Sequence, residues 1–110
     1  VAKSVVCSPL LKCAMFGADA NWGRVLCAVG YAPAEFDIDQ VAVTLASRAG
    51  SVDVCKNGAG IDFSEDIAKT VLLEDEIEIL VSVGDGPAAA TAWGCDLTYD
   101  YVKINGDYRS

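Results

Sequence analysis

From Glu76 to Gly84 the chain reads EIEILVSVG, which places Ile77, Ile79, Val81 and Val83 on one side of an extended backbone. Alternate side chains of a strand point to opposite faces, so this segment predicts a half-buried strand. Such a strand cannot stand alone. Its backbone groups need neighbouring strands, and its apolar face needs a cover. The neighbours are visible in the sequence. FDIDQVAVTLA sets Ile38, Val41, Val43 and Leu45 against Asp39, Gln40, Ala42 and Thr44, and predicts a strand over about 40–46. SVDVCKNG predicts a second short strand, ended by the Asn57-Gly58 turn signal.

The cover comes from helical periods between these runs. Asn21 is a good N-cap for a helix over 22–29, in which Trp22, Val25, Leu26 and Val29 form one apolar stripe, with Gly30 at the C-cap. Ser64 caps a helix over 65–73 whose apolar face is Ile67, Val71 and Leu72, with Glu65 and Asp66 at its positive end. Residues 1–8 read as the last turns of a helix ended by Ser8-Pro9, and 10–16 as a short buried strand. GDGP then suggests a hairpin from the 76–84 strand into AAATAWGCDL, and a short helix follows Asp96. The expected fold class is α/β, a mixed sheet with interleaved short helices, forming a single domain over residues 1–110.

Composition narrows the function. With 53% hydrophobic residues, 110 residues can build a core, which argues against disorder. No apolar run is long enough to span a bilayer. Sixteen acidic against eight basic residues give a net charge of −8, the opposite of a nucleic-acid-binding surface. The acidic EDE at 74–76 reads as a solvated turn. Cys7, Cys13, Cys27, Cys55 and Cys95 include no CxxC pair, and four of them sit among apolar residues. They read as buried free thiols in a reducing compartment rather than as a metal or redox site. The only Met is Met15, and the chain opens as if a helix were already under way, so it reads as a piece of something longer.

A catalytic site is hard to find in these residues. The chain has no His. Thr44, Thr70, Thr91 and Thr98 have no Lys or carboxylate beside them in any recognisable pattern, and GAGID and GDGPA are turns rather than phosphate loops. Two stretches exceed what structure alone asks for. FGADANWGR is a capped helix start in which Trp22 anchors the core and Arg24 is solvated or holds Asp19. YDYVKINGDYRS combines Asn105, a donor and acceptor, with the Ser110 hydroxyl, and its aromatic residues would pin a polar end in place.

SPLLKCAMFGADANWGRVLCAVGY and the closing AWGCDLTYDYVKINGDYRS resemble the C-terminal part of the β chain of ornithine acetyltransferases, the bifunctional glutamate N-acetyltransferases of arginine biosynthesis. The resemblance covers the whole chain and is weakest over 46–74. It implies an N-terminal-nucleophile-type enzyme whose precursor cleaves itself before a threonine. The α and β chains remain together, usually as a heterotetramer of two of each. Acetyl passes from N2-acetylornithine to that threonine and then to glutamate by a ping-pong route, with donors of the α chain holding the oxyanion. The resemblance implies no resident cofactor and acetyl-CoA as a candidate second acetyl donor; with no targeting segment visible, the expected location is the cytoplasm, or an organelle if the source is eukaryotic.

The nucleophilic threonine and the family's substrate-binding glutamate have no counterpart here. By resemblance, Asn105 of the KIN stretch and the final Ser110 correspond to substrate-binding residues for the amino-acid portion of ornithine or glutamate. ADANWGR also matches a family signature, with no ligand assigned to it. The alternative is a non-catalytic α/β domain that binds a small ligand or a partner chain.

Overall fold

The structure, a computed structural model, describes residues 1–108. Three helices come first: α1 (Ala2–Val6), α2 (Pro9–Phe16) and α3 (Trp22–Gly30). A single 3-10 turn, Ile38–Gln40, leads into β1 (Ala42–Ser47), β2 (Gly50–Lys56) and β3 (Ala59–Gly60). Then follow α4 (Glu65–Leu72), β4 (Glu78–Ser82) and, after a long irregular stretch, α5 (Tyr99–Asp107). The α/β class with interleaved short helices is as expected, and all three strand pairings are antiparallel in the order β3-β2-β1-β4.

The core face of the sheet follows from register. Val43 pairs with Val81 and Leu45 with Ile79, so β1 and β4 present one continuous apolar row. Between β1 and β2 the register shifts after Val43: Val43 faces Cys55, but Thr44 faces Asp53. Val54 is the extra residue of a bulge, and this lets two consecutive residues, Val54 and Cys55, both enter the core. Asn57 and Gly58, both at positive φ, form the two-residue turn from β2 to β3. The first of these is tolerated because Asn visits left-handed space at low cost.

Helices close the core. Val25, Ala28 and Val29 of α3, Val5 of α1, Leu11 of α2 and Ala68 and Leu72 of α4 join Val41, Val43, Leu45, Val54 and Cys55 in one cluster. No polar side chain among the described residues is buried. The Asn21 and Ser64 caps stand as expected, with Asn21 Oδ1 accepting from Arg24 N at 3.1 Å and Ser64 Oγ from Ile67 N at 3.3 Å. On α4, Ala68 rather than Ile67 turns inward, and Ile67 is 55% exposed.

Two expected elements differ. Residues 10–16 are a helix, because Ser8-Pro9 starts an element instead of stopping one: Ser8 Oγ accepts from Leu11 N at 3.3 Å and Pro9 takes the first helical position. Leu11 and Ala14, three apart, are its buried residues. AAATAWGCDL pairs with no strand. β4 is bonded to β1 alone, and the segment crosses instead to the helices, where Leu97 N donates to the Lys12 carbonyl at 3.2 Å and Gly94 lies against Val6. Its run of alanines offers little area to bury against a sheet, and Trp93 is 87% exposed.

Candidate functional site

α5 is the element that carries Asn105. Thr98 caps it, its Oγ1 accepting from Tyr101 N at 2.9 Å, and Asp100 sits in its first turn. Among the described residues the helix is moored at this end, by the Leu97–Lys12 backbone bond and by the Tyr99 ring, edge-on to Phe16 of α2 at 5.4 Å between centroids. The rest of its side chains reach outward. Tyr101, Ile104 and Tyr108 are each more than half exposed, so among the described residues Tyr99 is the aromatic residue that holds the segment, and it does so only at its start.

Asn105 stands on that exposed helix. Its Nδ2 donates to the Tyr101 carbonyl at 2.9 Å. An amide has a second N–H and an acceptor oxygen, and among the described residues neither is hydrogen-bonded. The bond to its own helix also fixes which way the amide points. Ser110, the second expected site residue, lies outside the described residues.

The FGADANWGR stretch lies elsewhere. Ala18, at φ 51°, turns the chain from α2 to α3. Asn21 Nδ2 donates to Asp19 at 3.1 Å, while Arg24 Nη1 donates to the Leu10 carbonyl at 2.9 Å. Arg24 thus holds the start of α2 and not Asp19. Around it opens a cleft of about 510 Å³ lined by Ser4, Cys7, Pro9, Leu10, Cys27 and Tyr31 among others. A shallower one of about 340 Å³ lies beside Asp19, Trp22, Phe63 and Glu65. No residue of α5 lines either cleft. The structure therefore does not join Asn105 to the ADANWGR residues.

Two further placements correct the sequence reading. Thr44 does have a carboxylate beside it: its Oγ1 donates to Asp53 Oδ1 at 2.6 Å across the β1–β2 bulge. The two are nine positions apart, so only the hairpin register reveals the pair. It faces away from the core, and Thr70 and Thr98 use their hydroxyls on helix backbone. Of the cysteines, Cys55 alone is buried; Cys7, Cys13, Cys27 and Cys95 are exposed thiols. The sequence placed four of the five among apolar neighbours, but helix faces, not neighbours in sequence, decide burial. Burial pushes the Cys55 thiol above its ordinary pKa. Among the described residues no helix is long and apolar enough to cross a membrane.

Comparison with known proteins places this architecture. The arginine biosynthesis bifunctional protein ArgJ of Caldanaerobacter subterraneus subsp. tengcongensis is 57% identical over 109 residues, covering 99% of this chain and 27% of that protein. The glutamate N-acetyltransferase of Methanopyrus kandleri is 46% identical over 109 residues, covering 99% of this chain and 28% of that protein. The crystal structure of arginine biosynthesis bifunctional protein argJ from Bacillus halodurans superposes with a TM-score of 0.89 at 42% identity, covering 97% of this chain and 49% of that one. The chain therefore spans little more than a quarter of the length of these curated relatives. The ArgJ family model matches residues 1–110, the whole of the sequence, and the chain belongs to the ArgJ family.

Proposed function

We propose that the chain is the C-terminal part of the β chain of an acetyltransferase that moves acetyl from N2-acetylornithine to glutamate, and that it supplies binding groups for the amino-acid portion of the substrate. The observation that carries this reading is the family match across all 110 residues, with relatives whose names give arginine biosynthesis and glutamate N-acetyltransfer. The nucleophile, an N-terminal threonine, lies outside these residues. Acetyl would pass to its hydroxyl oxygen with release of ornithine, and from there to the amine of glutamate, with acetyl-CoA as an alternative donor.

A self-cleaving precursor is part of the reading. The chain covers 49% of the solved Bacillus halodurans chain but only about 27% of the curated relatives, so that solved chain is little more than half their length. A processed β chain would have that proportion, and this supports an α-chain partner; an assembly of two α and two β chains in the cytoplasm belongs to the same proposal.

The part given to this chain's residues is recognition. Asn105 keeps an N–H for a substrate carboxylate and a carbonyl oxygen for an ammonium, which suits an amino acid held at both charged groups. Ser110 adds its hydroxyl. The complete enzyme, incubated with N2-acetylornithine and glutamate, should release ornithine and form N-acetylglutamate in equal amounts. Absence of acetyl transfer with either acetylornithine or acetyl-CoA as donor would refute the reading.

A further inference from the structure

The larger cleft is walled by two elements, and each wall brings a thiol. Arg24, Cys27, Ala28 and Tyr31 recur at steps of three and four along α3 and its C-cap, so they form one stripe, and all four line the cleft. Ser4 of α1 and Cys7, the C-cap of α1, line it from the other side. Two hydrogen bonds set how the walls meet. Ser4 Oγ donates to the Ala28 carbonyl, and Arg24 Nη1 donates to the Leu10 carbonyl at 2.9 Å. The chain from Ser4 to Leu10 therefore runs antiparallel to the chain from Arg24 to Ala28. Cys7 lies between the first pair of tethers and Cys27 between the second, so the register brings both to the same stretch of the cleft.

Neither thiol is used by the core: Cys55 is buried, while Cys7 and Cys27 are exposed. Cys13 and Cys95 are exposed as well but line neither cleft. Among the described residues no three Cys, His, Asp or Glu gather to hold a metal ion, which leaves the pair to thiol chemistry.

We propose that Cys7 and Cys27 are a reversible disulfide site, closed by a peroxide and reopened by a dithiol reductant. In the first step one thiol, deprotonated, attacks a peroxide oxygen; the O–O bond breaks, the sulfur becomes a sulfenic acid and the other oxygen leaves as water. In the second, the facing thiol attacks that sulfur, the S–S bond forms and the sulfenic oxygen leaves as a second water. Two thiols are oxidised and one hydrogen peroxide is reduced to two waters. A disulfide needs its Cβ atoms about 3.8 Å apart. Cys7, at the end of a five-residue helix, is the more adjustable of the two. The bond would staple α1 to α3 and enclose α2 and the ADANWGR stretch in a covalent loop. It is independent of the acetyltransferase reading.

The test treats the complete enzyme with hydrogen peroxide, alkylates the remaining thiols and maps the peptides by mass spectrometry. A Cys7–Cys27 peptide pair lacking two hydrogens should appear, and dithiothreitol should return both residues to alkylatable thiols. Cys13 should stay out of any linked pair. Cys95 is the rival partner, because its neighbour Gly94 lies against Val6, next to Cys7. Linkage of Cys7 to Cys95, linkage of either thiol to a second copy or to a cysteine outside residues 1–110, or oxidation of both thiols with no link would overturn the proposal. In Cys7→Ser the linked peptide should be lost, and Cys27 should not take another partner. A new partner for Cys27 in that variant would count against a dedicated pair.

Discussion

Gly60 shows how tightly single residues are specified here. A Cβ at this position would run into the Trp22 ring, because the indole rests directly on the β3 backbone. Trp22 was legible as a core anchor, but its seat was not: nothing in GAGID says that an aromatic ring 38 positions earlier needs a bare backbone beneath it. Gly60→Ala should destabilise the fold by about 1–3 kcal/mol, read by denaturant unfolding, because ring and strand must separate. Cys55 gives a second expectation. Its folded-state pKa is raised by burial, so its contribution to stability is fully present below the ordinary thiol value of 9.0 and is lost as pH rises beyond it. The melting temperature should fall above pH 9.0, and less steeply in Cys55→Ala than in the parent. Identical alkaline slopes would show that Cys55 ionises freely. The Asn105 type and position were readable from the KIN stretch; that its amide leans on the Tyr101 carbonyl was not, since that depends on the helix forming.

Among elements, those with two agreeing signals were legible. α3 has both the Asn21 cap and the Val25, Leu26, Val29 stripe, and α4 has Ser64 with acidic residues in its first turn. Asn21→Ala should cost about 1 kcal/mol through loss of the cap to Arg24 N, and it also frees Asp19. A stability change well under that in a thermal melt would mean that Arg24, bonded to the Leu10 carbonyl, holds the α2–α3 corner by itself. Where a signal had two meanings, the reading went astray. Ser-Pro both ends and begins helices, and the apolar run after it is too short for period to arbitrate between strand and helix. The hairpin expected at GDGP failed for a different reason. A turn motif proposes a reversal, but a strand forms only if the edge beside it accepts it, and the segment instead meets the helices at Gly94 and Leu97. The β1–β2 bulge has no local sign at all, yet it alone explains why Val54 and Cys55 are both inside.

For the molecule as a whole, the outer face of the sheet and Tyr101, Ile104 and Tyr108 at α5 stay open to solvent. On the outer face Leu80 is 50% exposed opposite Thr44. This agrees with a chain that is about a quarter the length of its relatives and completes its surfaces elsewhere. Fold class could be read from periodicity because burying alternate residues is a local demand. Function could not, because among the described residues the Thr44–Asp53 pair, the ADANWGR stretch and Asn105 stand apart, and only the family resemblance carried it. The central claim is that Asn105 recognises substrate in a complete acetyltransferase. The most direct test is the steady-state kcat/KM for N2-acetylornithine of the complete enzyme with Asn105→Ala, set beside a thermal melt of the same protein. Loss of a hydrogen bond to a charged group costs about 1.5–3 kcal/mol, so kcat/KM should fall about ten- to a hundredfold with the melt unchanged. A variant that melts like the parent and keeps its kcat/KM would contradict the claim.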